Sequence, residues 1–123
     1  MARLLIVEDD DSVRTLAARA LERAGHHIDL AADGAQGLAA IHAASGGYDL
    51  VVSDIRMPEM DGIEMARAAA NAYPGMRIML MTGYADQRER AHGLDSLIHD
   101  VLTKPFTVAE LRTAVAEALA ARR

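Results

Sequence analysis

The sequence contains no cysteine among its 123 residues, and this absence excludes several kinds of chemistry at once. Disulfide bonds, thiolate catalysis and cysteine-based zinc sites all require the missing sulfur atom. An uninterrupted apolar stretch of membrane-spanning length, about 20 residues, is also missing. The chain turns acidic at Glu8, which is too early for the apolar region of a secretory signal peptide. We therefore expect a cytoplasmic protein that does not enter the membrane.

Positive charge is scarce as well. The chain has 13 Lys and Arg residues against 18 Asp and Glu residues, a net charge of -5 at pH 7. Nucleic-acid binding needs a basic surface that displaces counterions from phosphates, and the only basic cluster is Arg122-Arg123 at the chain end. We expect no nucleic-acid partner. The length suits one domain with one core, so we expect residues 1–123 to form a single domain.

What the chain does contain is a regular alternation of short apolar runs and amphipathic stretches. Continuous apolar runs predict strands that are covered on both faces. The predicted strands are residues 3–7, 27–31, 48–53, 77–82 and 98–103. Five helical patterns alternate with them. Because parallel strands require right-handed crossovers, the alternation predicts a doubly wound α/β fold with five parallel strands in the order 2-1-3-4-5 and helices on both faces.

Local signals predict where individual helices begin and which side they bury. We expect Ser12 or Asp11 to cap the first helix and Gly25 to end it in a left-handed conformation. The three- and four-residue spacing places Leu16 on the buried side of that helix, and it places Val108 on the buried side of the last one.

The stretch from Leu50 to Gly62 brings a carboxylate to one edge of the predicted sheet. An apolar run leads to Asp54 and stops at Met57-Pro58, because proline lacks a backbone donor and disfavours helix before it. We therefore expect Asp54 just beyond its strand, in the loop rather than in the ladder of paired residues. Ligands bind at this end of parallel strands. A lone aspartate here is also compatible with a simple turn cap, so the neighbouring residues decide its role.

Further polar side chains lie at the ends of the other strands. Glu8 and Asp9 follow the first strand, Thr82 ends the fourth, and Lys104 follows the fifth. The predicted strand order makes them converge on Asp54. Three carboxylates about 5 Å apart repel by roughly 3 kcal/mol per pair at an effective dielectric of 20. A hard divalent cation such as Mg²⁺ would offset this repulsion, while the lysine and the threonine suit phosphoryl oxygens.

Together these positions resemble the receiver domains of two-component response regulators, which have a flavodoxin-like fold. The motifs are Val7-Glu8-Asp9-Asp10, Ser53-Asp54-Ile55-Arg56-Met57-Pro58-Glu59-Met60-Asp61-Gly62, Met81-Thr82-Gly83 and Thr103-Lys104-Pro105-Phe106. The resemblance covers essentially the whole chain. It implies that Asp54 accepts a phosphoryl group from a histidine kinase or a histidine phosphotransfer protein. It also implies a signalling domain rather than an enzyme.

The resemblance assigns roles to the residues at the sheet edge. The Mg²⁺ ligands that it implies are Asp9 and Asp54 directly, Glu8 through water, and the backbone carbonyl of Arg56. Thr82 and Lys104 would bind phosphoryl oxygens. The Lys104-Pro105 bond would be cis, and this expectation rests on the resemblance alone, because only about 5% of X-Pro bonds are cis.

One position departs from the family pattern. Members usually have an aromatic ring three residues before the site lysine, where this chain has Val101. The weak pattern of residues 83–93 predicts a short marginal helix, and we hypothesise that Tyr84, or this helix over residues 86–93, carries the signal instead. Arg56 and Tyr84 are bulky and flank the site, which predicts slow self-dephosphorylation.

The mode of output is less constrained. No second domain follows before Arg123, so we expect phosphorylation-controlled contact with a downstream protein by a monomer or weak dimer. Among stand-alone receivers, an adaptor for an ATP-dependent protease fits the motifs. One alternative is a phosphorelay module excised from a hybrid kinase. Another is a Mg²⁺-dependent phosphohydrolase, which would want a second acid near Asp54, whereas position 56 is arginine.

Overall fold

A five-stranded parallel sheet organises the chain. In a computed structural model, residues 2–83 and 100–120 are described. The strands are β1 (Arg3–Val7), β2 (His27–Ala31), β3 (Leu50–Asp54), β4 (Ile78–Thr82) and β5 (Asp100–Thr103). Their order in the sheet is β2-β1-β3-β4-β5, and every neighbouring pair is parallel. The predicted fold class and strand order are therefore confirmed.

The described residues form four helices around this sheet. They are α1 (Asp11–Arg23), α2 (Gly34–Ala43), α3 (Gly62–Ala72) and α4 (Val108–Ala120). Tyr84 and residues 86–93, where the marginal helix is predicted, lie outside the described residues. Within residues 2–83 and 100–120, none of the helices has the length and apolar character needed to cross a bilayer.

The sheet separates the apolar interior into two layers. Successive residues of a strand point to opposite faces. Leu5 and Val51 therefore pack in a layer with α2 and α3, whereas Leu4 and Val52 pack in a layer with α1 and α4. All four side chains are fully buried. Burial on both faces explains why the inner strands read as continuous apolar runs rather than as alternating patterns.

Helix α1 begins at a cap one residue earlier than predicted. A side-chain oxygen of Asp10 accepts hydrogen bonds from the backbone N–H groups of Ser12 at 2.9 Å and Val13 at 3.0 Å. Neither Ser12 nor Asp11 is the cap, because Asp10 has the extended backbone that turns a carboxylate back onto the first turn. Gly25 ends the helix as predicted, with φ +98°.

Two apolar residues that were predicted to face the core are exposed. Leu16 is 52% exposed and Val108 is 37% exposed. The buried side of α1 consists of Ala17, Ala18, Ala20 and Leu21. Small alanines allow the helix to lie close to the sheet, and Leu16 is left beside this buried stripe. Val108 is the first residue of α4, at the end of the helix rather than above the sheet.

Candidate functional site

Asp54 is the last paired residue of β3. It lies in register with Met81 of β4, so the expectation that it falls beyond the ladder was wrong. Strand-like bonding even continues one residue further, because Ile55 donates its backbone N–H to the Met81 carbonyl at 3.2 Å. The break that proline imposes takes effect only after this bond. Asp54 is consequently held by the sheet at the carboxyl end of β3, and it is 7% exposed.

Three carboxylates meet at this edge. Glu8, Asp9 and Asp54 each contribute an oxygen, and these oxygens lie within 4.8 Å of one another. Glu8 is 1% exposed, whereas Asp9 is exposed. Glu8 and Asp9 directly follow β1, which is the sheet neighbour of β3. The strand order thus brings together the acidic residues that the sequence places far apart.

Lys104 reaches the cluster from the end of β5. Its Nζ donates to Oε1 of Glu8 at 2.9 Å and lies 3.3 Å from Oδ1 of Asp54. Its backbone N–H donates to the Thr82 carbonyl at 2.7 Å, which fixes the ends of β4 and β5 side by side. Thr82 is fully buried. The Lys104-Pro105 bond is cis, as the resemblance implied.

Burial controls the protonation of these groups. Desolvation raises the pKa of Glu8 above its usual value, although a backbone hydrogen bond from Asp10 and the Lys104 ammonium oppose it. Desolvation also raises the pKa of Asp54 despite the attraction of Lys104, and the charge of Asp9 adds to the rise. Burial alone would lower the pKa of Lys104, but Glu8 and Asp54 outweigh it and the pKa is raised. The site therefore holds a protonated lysine against carboxylates that are costly to ionise.

The loop that follows Asp54 is anchored by Asp61 and Gly62. The N–H of Gly62 donates to the Ile55 carbonyl at 2.8 Å. Asp61 and Glu64 form a capping box at the start of α3, in which each side chain accepts from the other's backbone N–H, at 2.8 Å and 3.1 Å. The Asp-x-x-Glu spacing is the sequence signal that would have predicted this box.

A cavity of about 650 Å³ opens onto the cluster. Its lining includes the three carboxylates, Lys104, Arg56 and Gly83. Its apolar wall includes Val13, Leu16 and Phe106, a wall that the sequence reasoning missed because it assigned Leu16 to the core. A larger cavity of about 830 Å³ lies around Tyr73 and Arg77 and is not lined by these carboxylates.

The donor atoms of the cluster suit a hard divalent cation. All three are carboxylate oxygens, which magnesium prefers over nitrogen or sulfur. Asp9 is exposed, so the cluster can be reached from solvent. Arg56, whose carbonyl the resemblance adds to the ligand set, lines the same cavity. The residues present therefore fit magnesium.

Comparison with known proteins identifies the family to which the chain belongs. The sequence model of one family, described as "Response regulator receiver domain", matches residues 4–116. The chain belongs to this family. Receiver domains are signalling modules of two-component systems rather than classical enzymes. They take phosphate from histidine kinases or phosphotransfer proteins and bind Mg²⁺ at an acidic pocket.

Individual relatives differ in how much of their length this receiver domain covers. It is 36% identical over 118 residues to the sensor kinase CckA of Brucella abortus, covering 96% of this chain but 12% of the kinase. It is 37% identical over 111 residues to the response regulator receiver protein CpdR of the same organism, covering 90% of this chain and 91% of CpdR. It spans less than half the length of several other curated relatives.

Solved structures show the same fold. The response regulator protein TrrA from Thermotoga maritima, in complex with Mg²⁺ and BeF, is 30% identical, with a TM-score of 0.85 over 96% of this chain and 99% of TrrA. The receiver domain of the hybrid histidine kinase CckA is 32% identical, with a TM-score of 0.81 over 95% of this chain and 98% of that domain. The flavodoxin-like architecture is therefore shared with a response regulator protein and with the receiver domain of a hybrid kinase.

Proposed function

We propose that this receiver domain accepts a phosphoryl group on Asp54 from a histidine kinase or a histidine phosphotransfer protein, in a Mg²⁺-dependent reaction. One observation carries the proposal. Asp54 is a buried carboxylate at the end of a central strand, with Glu8 and Asp9 oxygens within 4.8 Å and the Lys104 Nζ at 3.3 Å. Its position beside a cavity leaves space for a donor to approach.

In the proposed reaction, an oxygen of Asp54 attacks the phosphorus atom of the donor phosphohistidine. A bond forms between this oxygen and phosphorus, the bond from phosphorus to the imidazole nitrogen breaks, and the imidazole leaves with its electron pair. Aspartate is a weak nucleophile, so placement and charge neutralisation must supply most of the rate enhancement. We assign the Lys104 ammonium and the Thr82 hydroxyl to the phosphoryl oxygens.

The acidic residues would hold the metal. We assign Asp9 and Asp54 as direct ligands, Glu8 as a ligand through water, and Arg56 as a ligand through its backbone carbonyl. When bound, Mg²⁺ supplies positive charge that offsets the repulsion between the carboxylates and the phosphoryl oxygens. Glu8 is oriented for this role by the hydrogen bond that its Oε2 accepts from the backbone of Asp10 at 3.0 Å.

The output that we propose is phosphorylation-controlled contact with a downstream protein by residues 1–123 acting as a single domain in the cytoplasm, as a monomer or weak dimer. The coverage of 91% of CpdR supports the stand-alone form. An adaptor role for an ATP-dependent protease remains one form of this output. The hypotheses that Tyr84 or the 86–93 helix replaces the aromatic switch at Val101, and that phosphoryl loss is slow, belong to the same proposal.

A second candidate is a phosphorelay module of a hybrid kinase. The match to CckA over 96% of this chain and the structure of the CckA receiver support it. The two candidates differ in the fate of the phosphoryl group. Rapid return of the group to a histidine phosphotransfer protein would favour the relay module, whereas a phosphorylated form that persists beside that protein would favour the stand-alone regulator.

The direct test is to incubate the protein with Mg²⁺ and acetyl phosphate and to measure its mass. We expect the wild type to gain one phosphoryl group that is stable in mild acid and lost in base, and Asp54→Asn to gain none. Asp9→Asn changes an exposed residue, so it should fold normally but require much more Mg²⁺. Equal labelling of Asp54→Asn would contradict the proposal. Turnover of a phosphomonoester with release of its alcohol would favour a phosphohydrolase instead.

A further inference from the structure

Lys104 is the counterion that the fold brings to the carboxylate cluster, and it is the only lysine in the sequence. Its Nζ lies 2.9 Å from Oε1 of Glu8 and 3.3 Å from Oδ1 of Asp54. The Glu8 side chain is 1% exposed and the Lys104 side chain 26% exposed. A buried carboxylate needs such a partner, because water is not available to solvate it.

The backbone already occupies other bonding positions of these carboxylates. Oε2 of Glu8 accepts a hydrogen bond from the N–H of Asp10 at 3.0 Å. Oδ1 of Asp54 accepts one from the N–H of Ile55 at 3.0 Å. These bonds orient both side chains. The other oxygen of Glu8, Oε1, accepts the hydrogen bond from Lys104.

A divalent cation at the cluster and the Lys104 ammonium require the same side chains. The cation would draw on the oxygens of Glu8, Asp9 and Asp54 that lie within 4.8 Å of one another, and Lys104 binds two of these three residues. Two cations on the same carboxylates repel each other strongly in a partly buried site. Occupancy by one therefore opposes occupancy by the other.

We propose that Lys104 competes with the divalent cation for Glu8 and Asp54, so that the lysine sets the metal affinity of the site. Cation binding moves the ammonium off these carboxylates, and the same movement frees it to bind a phosphoryl oxygen. This inference rests on the metal site of the proposed function. It adds the expectation that phosphorylation and metal affinity change in opposite directions: loss of the lysine charge impairs phosphorylation but tightens metal binding.

Arg14 offers a matched control. One of its guanidinium nitrogens donates to the backbone carbonyl of Glu8 at 2.8 Å, and the other pairs with Asp11. Its positive charge is therefore adjacent to the same residue, but it contacts the main chain and a different carboxylate. Neutralising Arg14 changes the general electrostatic field of the site without removing a direct competitor.

The first experiment titrates Mg²⁺ alone, without a phosphodonor, into wild type, Lys104→Gln and Arg14→Gln, with calorimetry as the readout. We expect Lys104→Gln to bind at least about tenfold more tightly than wild type. Arg14→Gln should change the affinity by less than about fivefold, because Arg14 bonds the Glu8 backbone and Asp11 rather than the side-chain oxygens of the cluster. Unchanged or weaker binding by Lys104→Gln would overturn the inference, as would equal tightening in both variants.

The second experiment keeps the wild-type chain and uses its single ε-amine. The protein is treated with an N-hydroxysuccinimide ester of acetate, and acylation of Lys104 is measured by peptide mass spectrometry, separately from the α-amino group. We expect Mg²⁺ to accelerate this acylation several-fold relative to NaCl of equal ionic strength, because the ammonium leaves its ion pairs. An unchanged or slower rate would overturn the inference. Failure of the proposed function would appear differently, as the absence of a phosphoryl adduct with acetyl phosphate.

Discussion

Gly62 lies so close to Asp54 that a side-chain carbon at position 62 would be 2.2 Å from the Asp54 carbonyl oxygen. Real carbon and oxygen atoms do not approach to this distance. The first residue of α3 and the last residue of β3 are thus in direct backbone contact, and glycine is required there for reasons of space. The position of the Asp54 carboxylate depends on this contact.

The first prediction concerns Gly62→Ala. The added methyl group must push the Asp54 backbone away, so we expect the free energy of unfolding to fall by about 1 to 3 kcal/mol and phosphorylation by acetyl phosphate to slow. Urea unfolding and mass spectrometry measure the two effects. Gly83→Ala is the stability control, because among the described residues its new carbon would meet the Lys104 Cβ, at an ordinary 3.7 Å. Equal stability of the two variants would contradict the account of Gly62.

The second prediction concerns Asp54, the proposed phosphoryl acceptor. In the presence of a chelator, Asp54→Asn should raise the midpoint of thermal unfolding by a few degrees. The physical reason is that burial raises the pKa of Asp54 despite Lys104, so the ionised side chain destabilises the fold and a neutral amide of similar shape does not. Asp9→Asn, at an exposed position, should shift the midpoint much less. A lower midpoint for Asp54→Asn would show that its pairing with Lys104 outweighs the cost of burial.

The third prediction concerns Tyr48, at the opposite end of β1 and β3 from the proposed phosphoryl site. Its hydroxyl donates to Asp29 at 2.7 Å, and the guanidinium of Arg3 lies 4.8 Å from the centre of its ring. Burial and the Asp29 carboxylate raise the pKa of Tyr48 to about 12. Tyr48→Phe should therefore cost about 0.5 to 1.5 kcal/mol near neutral pH, the usual value of one hydrogen bond.

The pH dependence of this effect has a defined sign. A raised phenol pKa means that the native state keeps its proton where the unfolded chain has lost it, so the stabilisation is complete below about pH 10, the ordinary tyrosine value. It should then disappear as the pH rises towards 12. Urea unfolding of wild type and Tyr48→Phe at neutral and alkaline pH measures the difference. A difference that stays constant across this range would contradict the predicted proton linkage.

The fourth prediction compares two leucines of the same helix. Leu21 is fully buried, whereas Leu16 is 52% exposed. Leu21→Ala should lower the free energy of unfolding by about 2 to 5 kcal/mol, because it leaves a cavity. Leu16→Ala should change it by less than about 0.5 kcal/mol. Comparable losses in the two variants would show that Leu16 does belong to the core.

These leucines also show which features the sequence can predict. The strand order and the meeting of Glu8 with Asp54 follow from apolar runs that end in polar residues, because a parallel sheet gathers the ends of its strands. The rotation of α1 does not follow from spacing alone. Ala17, Ala18 and Ala20 determine how closely this helix approaches the sheet. In the sequence pattern, however, a buried alanine cannot be distinguished from an exposed one.

Element ends are harder to predict because partners elsewhere decide them. Asp54 stays in the ladder because Met81 is available on β4, and no local signal near Pro58 reveals that partner. The cap of α1 falls on Asp10 rather than Ser12 because both residue types can cap and the backbone angles decide between them. In both cases the predicted structural feature is present, but its position differs from the prediction by about one or two residues.

Because the sheet divides the apolar interior into two layers, the combined effect of two core substitutions on stability should depend on the layers in which they lie. Val51 and Val52 are neighbours in the sequence, yet one packs with α2 and α3 and the other packs with α1 and α4. Substitutions at adjacent positions of a strand therefore affect different apolar layers, and we expect less energetic coupling between them than between substitutions within one layer. Substitutions of Val51 and Met65, which are far apart along the chain, affect the same apolar layer. Within that layer, one substitution can increase or decrease the effect of the other on stability.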